Sequence, residues 1–316
     1  MYAIGIDVGG TSIKWGLVSE DGKVLATDFI QSRKDEDQNL VADKLVYKID
    51  EFLKQQGVER KEIIGIGIGS PGTIDSKEGE VIYTNNLDWQ HFPLAKILEN
   101  RLGLTIKITN DANAATLGEV KFGAGKKYKN VIMLTLGTGV GGGIVIDGKL
   151  IEGNKGGGAE LGHAVINFES DILCTCGRYG CLEVYASATA LIRQTKQAME
   201  ANRDSKLWDV VDHDITKVNG KTVWDGYDLN DKTAIEVVNN YIRYLGIGIL
   251  NYCNIFRPEA LILSGGIAKQ GDRLVKLLTD YCEKNHYGYG GSAPVKILIA
   301  ELGYESGIIG AASLVL

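Results

Sequence analysis

"YAIGIDVGGTSIKWGLVSEDGKVLATDFI", residues 2–30, decides how the rest of the chain is read. An apolar strand runs into a Gly-Gly turn, a second strand follows, an Asp21-Gly22 pair reverses the chain again, and a third strand leaves. Residues 38–56 carry apolar positions at helical spacing, "EIIGIGIGSPG" (62–72) is an apolar strand closed by a Pro-Gly turn, and a helix is expected over 93–102. Strand "TIKITND" (105–111) and helix "ANAATLGEVKFG" (112–123) follow. At about residue 130 the pattern restarts: "NVIMLTLGTGVGGGIVIDGKLIEG" (130–153) is again strand, glycine turn, strand, Asp-Gly hairpin and strand. The chain is therefore α/β with an internal duplication of one supersecondary unit. A long helix is expected over 232–256, then strand "EALILSGG" (259–266), helix 270–285, strand "VKILIAEL" (295–302) and a terminal helix "GIIGAASLVL" (307–316). The Asp-, Asn- and Gly-rich stretch 202–231 reads as a surface excursion.

With 316 residues the chain is long enough for two domains, and 44% apolar with 23% charged residues is the composition of a soluble globular protein. A net charge of −6 without any dense Lys/Arg run argues against a nucleic-acid partner. No run of 18 apolar residues suggests a membrane span, and the start lacks a basic secretion leader. A cytoplasmic, reducing location is expected, which makes disulfides a poor use for five cysteines.

Three of those cysteines fall with a histidine in "GHAVINFESDILCTCGRYGCLE" (162–183). His163, Cys174, Cys176 and Cys181 form H-x10-C-x-C-x4-C, the donor set that closes a tetrahedral shell around Zn²⁺. Glycines 177 and 180 supply the unusual backbone angles of a tight ligand loop. A full shell has no open position for water, so the metal is expected to be structural. The alternative is three buried, inert thiols.

Three glycine turns are shaped for phosphate: Asp7-Val-Gly-Gly-Thr-Ser12, Leu136-Gly-Thr-Gly-Val-Gly-Gly-Gly143 and Ser264-Gly-Gly-Ile267. Residues 137–142 match G-x-G-x-x-G, but a strand follows where a dinucleotide-binding unit needs a helix. Asp7 is placed to hold Mg²⁺ through water. Asp111 stands where a strand ends and a helix begins. There it serves either as a helix N-cap or as a base that takes an alcohol proton during phosphoryl transfer.

Taken in order, Asp7-x-Gly-Gly-Thr, Ser70-Pro-Gly72, Asn86-Leu-x-Trp89, Asn110-Asp111-Ala-Asn, Leu136-Gly-Thr-Gly139, Glu160-Leu-Gly-His163, Cys174-x-Cys-Gly-x-x-Gly-Cys-x-Glu183 and Ser264-Gly-Gly266 resemble the ROK family (repressors, open reading frames, kinases), and its bacterial glucokinase branch most. The resemblance implies an actin-like (ribonuclease H-like) duplicated ATPase fold, two lobes with a central cleft: 1–118 plus 301–316 as the small lobe, 119–300 as the large one with the zinc loop. It implies ATP-dependent phosphorylation of a hexose at its 6-hydroxyl, glucose first, with N-acetylmannosamine, N-acetylglucosamine, mannose or fructose as alternatives. It makes Asp111 the catalytic base and places Gly72, Asn86, Asn110, Glu160, His163 and Glu183 on the sugar. ATP falls to Asp7, Gly9, Gly10, Thr11, Lys14, Gly137, Thr138, Gly139, Gly265 and Gly266. Mg²⁺ accompanies the nucleotide, zinc is structural, and a homodimer is expected. The family's repressors carry an N-terminal helix-turn-helix module, whereas here the first strand begins at Tyr2, which disfavours that role.

Overall fold

The computed structural model describes residues 1–34, 36–84, 86–288 and 294–316. The opening stretch forms three strands, β1 (Tyr2–Val8), β2 (Ser12–Ser19) and β3 (Val24–Gln31), followed by helix α1 (Gln38–Gln56). Next come β4 (Ile63–Ser70), three short strands β5 (Thr73–Asp75), β6 (Glu80–Tyr83) and β7 (Gln90–Phe92), helix α2 (Leu94–Leu102), β8 (Ile106–Asn110) and α3 (Asp111–Lys121). The repeat supplies β9 (Val131–Leu136), β10 (Val140–Ile146) and β11 (Lys149–Leu150). Helices α4 (Glu183–Ala186), α5 (Ala188–Ala201), α6 (Leu207–Val210), α7 (Thr222–Asp228) and α8 (Lys232–Phe256) precede β12 (Ala260–Ser264), α9 (Asp272–Asn285), β13 (Lys296–Ile299) and α10 (Ser306–Ala312).

The duplication read from the sequence is a duplication of topology. One sheet runs β3-β2-β1-β4-β8 and the other β11-β10-β9-β12-β13, the same order in each. In each, a hairpin-linked trio is extended by two strands reached through helical crossovers. The small antiparallel sheet β5-β6-β7 went unread in the sequence, because strands of three or four residues carry too little periodicity to register.

The chain divides into two compact units, Met1–Val131 with Gly143–Ala159 and Ala300–Leu316, and Ile132–Gly142 with Glu160–Ile299. These units differ from the expected 1–118 plus 301–316 and 119–300 chiefly at 119–131 and 143–159, for two reasons. Residue 118 lies inside α3, and the 143–159 segment is tied to the first unit by side chains. Glu152 accepts the Thr109 hydroxyl on one oxygen and that of Ser76, at 2.8 Å, on the other.

In the first unit, β1 divides its side chains between two faces. Ile4, Ile6 and Val8 join Trp15, Leu45, Ile49 and Phe52 in the core that α1 and α2 cover. Ala3 and Gly5 face α10 instead, with Ala3 packed against Ile308 and Ala312. Gly5 pairs with Gly16 on one side and Gly67 on the other, so three glycines form a row across β2, β1 and β4. A Cβ on Gly5 would fall on the Ile308 carbonyl, one on Gly67 on the Ala311 carbonyl, and one on Gly16 would stand 2.8 Å from Ile308 Cγ2. The helix backbone thus rests directly on the sheet. A buried carboxylate anchors the approach to it: Glu119 of α3 accepts the N–H groups of Ala124 (2.9 Å), Glu301 (3.1 Å) and Leu302 (2.9 Å).

The second unit corrects the reading of 202–231. That stretch holds α6 and α7, and Trp208 and Trp224 are buried, the latter completely. Arg203 lies over the Trp208 ring at 4.9 Å and Arg273 over Trp224 at 5.0 Å. Asp231 accepts Ser205 Oγ (3.0 Å) and the N–H groups of Lys206 (2.9 Å) and Ala234 (2.8 Å), closing the segment onto the start of α8. Its polar composition conceals apolar anchors, Leu207, Trp208, Val211, Val218, Val223 and Trp224, all buried.

Gly67→Ala is expected to cost about 3 kcal/mol or more, because neither sheet nor helix backbone can retreat. Gly103→Ala, where the left-handed cap opens onto empty space, should cost only ~1 kcal/mol. Denaturant midpoints of the two variants check the ranking, and equal losses would mean that the floor beneath α10 is not tight.

Candidate active site

In the first unit the candidate residues gather at the carboxyl ends of the parallel strands β1, β4 and β8, where α/β sheets present ligand sites. Asp7, next to the end of β1, lies opposite Lys14 of β2. On its other side is Gly307 of α10, where a Cβ would stand 2.6 Å from the carboxylate. The Gly9-Gly10-Thr11 turn is tied down by Ser32, whose hydroxyl donates to Gly9 O (2.9 Å) and whose N–H donates to Thr11 O (3.1 Å). Asn86 lies against the same turn, its Cβ 3.4 Å from where a Gly10 Cβ would be. An expected sugar residue and an expected phosphate turn are therefore neighbours. Gly72 has φ of 95°, and a side chain there would strike the Tyr83 carbonyl.

Asn110 and Asp111 divide the work that the sequence left open. Asn110 is the cap: its Oδ1 accepts the N–H groups of Ala112 (2.9 Å) and Asn113 (3.4 Å), while its Nδ2 donates to Gly72 O (3.1 Å). One amide hydrogen of Asn110 remains to offer a ligand. Asp111, the first helical residue, is freed from capping. Its Oδ1 accepts the Ala112 N–H at 2.8 Å, and the side chain retains solvent-exposed surface. Surrounding protein nevertheless desolvates the carboxyl and raises its pKa, while the Ala112 N–H pulls the other way. Burial likewise raises the Asp7 carboxyl, followed by the charge of Asp111, with Lys14 opposing both.

The second unit holds the remaining candidates. Gly265 (φ 89°) sits on the end of β9, where a Cβ would be 2.6 Å from Leu136 O, so the 136–139 and 264–267 turns adjoin. Ala188 N–H donates to Gly137 O (2.8 Å) and Thr189 Oγ1 to Thr138 O (2.8 Å), fixing the first of these turns to the start of α5. Glu160 precedes a single 3-10 turn, Leu161–His163, pressed so closely to β10 that a Cβ on Gly162 would overlap the Val140 carbonyl.

None of the five cysteines is in a disulfide. One ligand atom each from His163, Cys174, Cys176 and Cys181 lies within 4.8 Å of the others. His163 Nδ1 is 3.5 Å from Cys174 Sγ, and Cys176 and Cys181 Sγ are 3.6 Å apart. A tetrahedral shell with Zn–S bonds of about 2.3 Å has edges of about 3.8 Å, so the donor set fits zinc. Gly177 and Gly180 take φ of 83° and 77°, the left-handed turns the loop requires. Burial works to raise Cys176, but hydrogen bonds from Arg178 and the neighbouring thiols bring it down to about 6, towards the thiolate a metal needs. Arg178 also donates to His163 O at 2.8 Å. Since Nδ1 turns to the thiols, Nε2 is the nitrogen left for another partner.

Four residues the sequence reading passed over now have roles: Ser32 on the first glycine turn, Glu152 beside Thr109, Arg178 on the metal loop, and Thr175, whose hydroxyl donates to Glu183 Oε1 at 2.9 Å. Only Thr175 and Arg178 had a sequence signal, since they lie among the cysteines. Ser32 and Glu152 are 23 and 43 residues from the partners they hold.

Two sheets of one strand order, each with a glycine turn after its first strand, define an actin-like ATPase fold. The chain belongs to the ROK family, whose pattern matches residues 3–316. It is 36% identical to a glucokinase of Halalkalibacterium halodurans over 99% of this chain and 94% of that one. It superposes with a TM-score of 0.77 on a ROK family glucokinase of Streptomyces griseus crystallised with glucose and AMPPNP, at 34% identity over 99% of both chains. A xylose repressor of Caldicellulosiruptor bescii is 33% identical over 90% of this chain, which spans 70% of that protein. Among the described residues no helix is long and apolar enough to cross a membrane.

The raised Asp111 pKa carries a signed expectation. Between the unfolded value of 3.8 and the higher folded value, the native state holds a proton that the unfolded chain has lost. Stability therefore falls as pH rises through that window and stays lower at neutral pH. Asp111→Asn should melt above the wild type at pH 7, with the difference closing as pH approaches 3.8. Melting curves across pH check the sign, and a variant less stable at pH 7 would contradict it.

Proposed function

We propose that Asp111 is the general base of an ATP-dependent kinase that phosphorylates glucose at its 6-hydroxyl. The observation that carries this reading is the release of Asp111 from capping. Asn110 caps α3, leaving a solvent-open carboxylate at the strand ends with its pKa raised towards that of a working base. The Ala112 N–H keeps the ionised form available. As the γ-phosphoryl group passes from ATP to the sugar oxygen, Asp111 takes the hydroxyl proton, and ADP leaves as the P–O bond to it breaks. Phosphoryl transfer asks mainly for alignment and charge neutralisation, so most of the remaining residues hold and orient.

Apart from the Gly9 and Gly137 N–H groups, which bond Ser12 O and Gly139 O, the N–H groups of the turns at 9–11, 137–139 and 265–266 are those available to phosphates, with Thr11 and Thr138 adding hydroxyls and Lys14 a positive charge. Mg²⁺ arriving with the nucleotide would shield the phosphate charge, and Asp7, opposite Lys14 in the β1–β2 register, is the carboxylate that would hold its hydration shell. Gly72, Asn86, the spare amide hydrogen of Asn110, Glu160, His163 and Glu183 are the groups assigned to the sugar. Carboxylates suit vicinal hydroxyls because a missing hydroxyl would leave an acceptor unpaired. Zinc held by His163 Nδ1 and the three thiolates would fix the imidazole plane and present Nε2 to the sugar.

Asp111→Asn should lower kcat by about 10²–10⁴ while glucose still binds, a normal kcat leaving Asp111 without a role in the reaction. A coupled assay with ATP-Mg and a panel of glucose, mannose, fructose and the N-acetylhexosamines should rank glucose first, and another sugar ranking first would move the substrate within the same chemistry. For the metal, purified protein should contain about one zinc per chain, and Cys176→Ser should lose both the metal and thermal stability. Folded, active protein free of zinc would remove the metal from this reading.

A further inference from the structure

Glu183 is held more firmly than a carboxylate at the start of a four-residue helix requires. Its Oε2 accepts the Val140 N–H at 3.0 Å, at the end of the Gly137–Gly139 turn. Its Oε1 accepts the Thr175 hydroxyl at 2.9 Å, with Cys174 Sγ 3.5 Å away. Gly139 makes the first of these contacts possible, since a Cβ there would collide with Oε2. That glycine therefore answers to Glu183 as well as to any phosphate. The carboxylate is clamped at both ends, by main chain on one side and on the other by the side chain that sits between two cysteines of the metal loop.

We propose that Thr175 is a positioning residue of the sugar site, fixing the plane of the Glu183 carboxylate so that its two remaining acceptor sites meet neighbouring sugar hydroxyls. This rests on the reading of Glu183 as a sugar acceptor. An ionised carboxylate offers about two lone-pair sites on each oxygen. Val140 occupies one on Oε2 and Thr175 one on Oε1; the Cys174 thiol, 3.5 Å from Oε1, takes a second there only while it keeps the proton that zinc ligation would remove, and without that proton one site is left on each oxygen. A glutamate without the Thr175 bond can still touch Val140 but is free to rotate about its last torsion, and binding must then freeze that motion. The metal loop thus reaches the sugar by two routes, His163 directly and Thr175 through Glu183. Thr175 is exposed, so its bond competes with water and its effect is moderate.

The test uses the zinc-loaded protein and glucose without nucleotide, measured by calorimetry, with zinc content and steady-state kinetics alongside. Thr175→Val should weaken glucose binding about five- to tenfold, the worth of one such hydrogen bond, and raise the glucose KM to match. Zinc content, the KM for ATP and kcat should stay within about twofold, because the metal donors, the nucleotide turns and Asp111 are untouched. Thr175→Ser, which keeps the hydroxyl, should bind glucose within about twofold of the wild type. A Val variant that binds glucose like the wild type overturns the proposal, as does a Ser variant as weak as Val. A Val variant that has lost zinc also overturns it, by showing that Thr175 serves the metal loop itself. A wild-type protein that binds no hexose would instead remove the sugar-kinase reading beneath it.

Discussion

The first unit depends on the contact between α10 and the sheet beneath it. Gly16, Gly5 and Gly67 lie in one row across three strands and bring the helix backbone against the strands with no side chain intervening. Two consequences follow from that closeness. Gly307 comes to lie beside the Asp7 carboxylate, and Gly310 comes within contact of α3 at Ala114 and Gly118. The last residues of the chain therefore set the place of the helix that begins with Asp111. Glu119 fixes the same arrangement from α3, binding the backbone just ahead of α10. A helix standing on ordinary side chains would sit several ångströms farther out, and both carboxylates would lose their setting.

Glu183 has a comparable position in the second unit. It joins the glycine turn at Val140 to the metal loop at Thr175, elements 43 and 8 residues away from it in sequence. A metal with a closed shell has no direct part in phosphoryl transfer, yet the loop it would organise carries His163 and reaches Glu183. Selectivity for a polyhydroxylated substrate needs acceptors with fixed directions, and loops alone do not supply fixed directions. Cross-linking such a loop through a metal is one way to obtain them without a large hydrophobic core beneath.

The raised pKa values of Asp7 and Asp111 belong to the same economy of position. Both carboxyls are desolvated, and the charge of Asp111 adds to the strain on Asp7. Protein folds tolerate such groups where chemistry uses them, and a lower stability at neutral pH would be the counterpart of the base role proposed for Asp111.

How much was legible in advance follows from the range over which each feature is encoded. The sequence by itself made legible the duplicated strand pattern, the glycine turns, the cluster of one histidine and three cysteines and the strand-to-helix junction at Asp111, because each is written within about twenty residues in local periodicity, turn chemistry or donor spacing. It misjudged 202–231, where buried Trp208 and Trp224 are hidden among polar residues, and it missed β5–β7, which are too short to show a period. Tertiary structure alone decided that Asn110 rather than Asp111 caps α3, because both residue types cap well and only backbone angles and the Gly72 carbonyl choose between them. It also decided that Gly139 makes room for Glu183, that Glu152 returns 143–159 to the first unit, and that three strand glycines are a floor for α10. Each of these is a close approach between residues distant in the chain, and no local pattern records which backbone will come to lie against which.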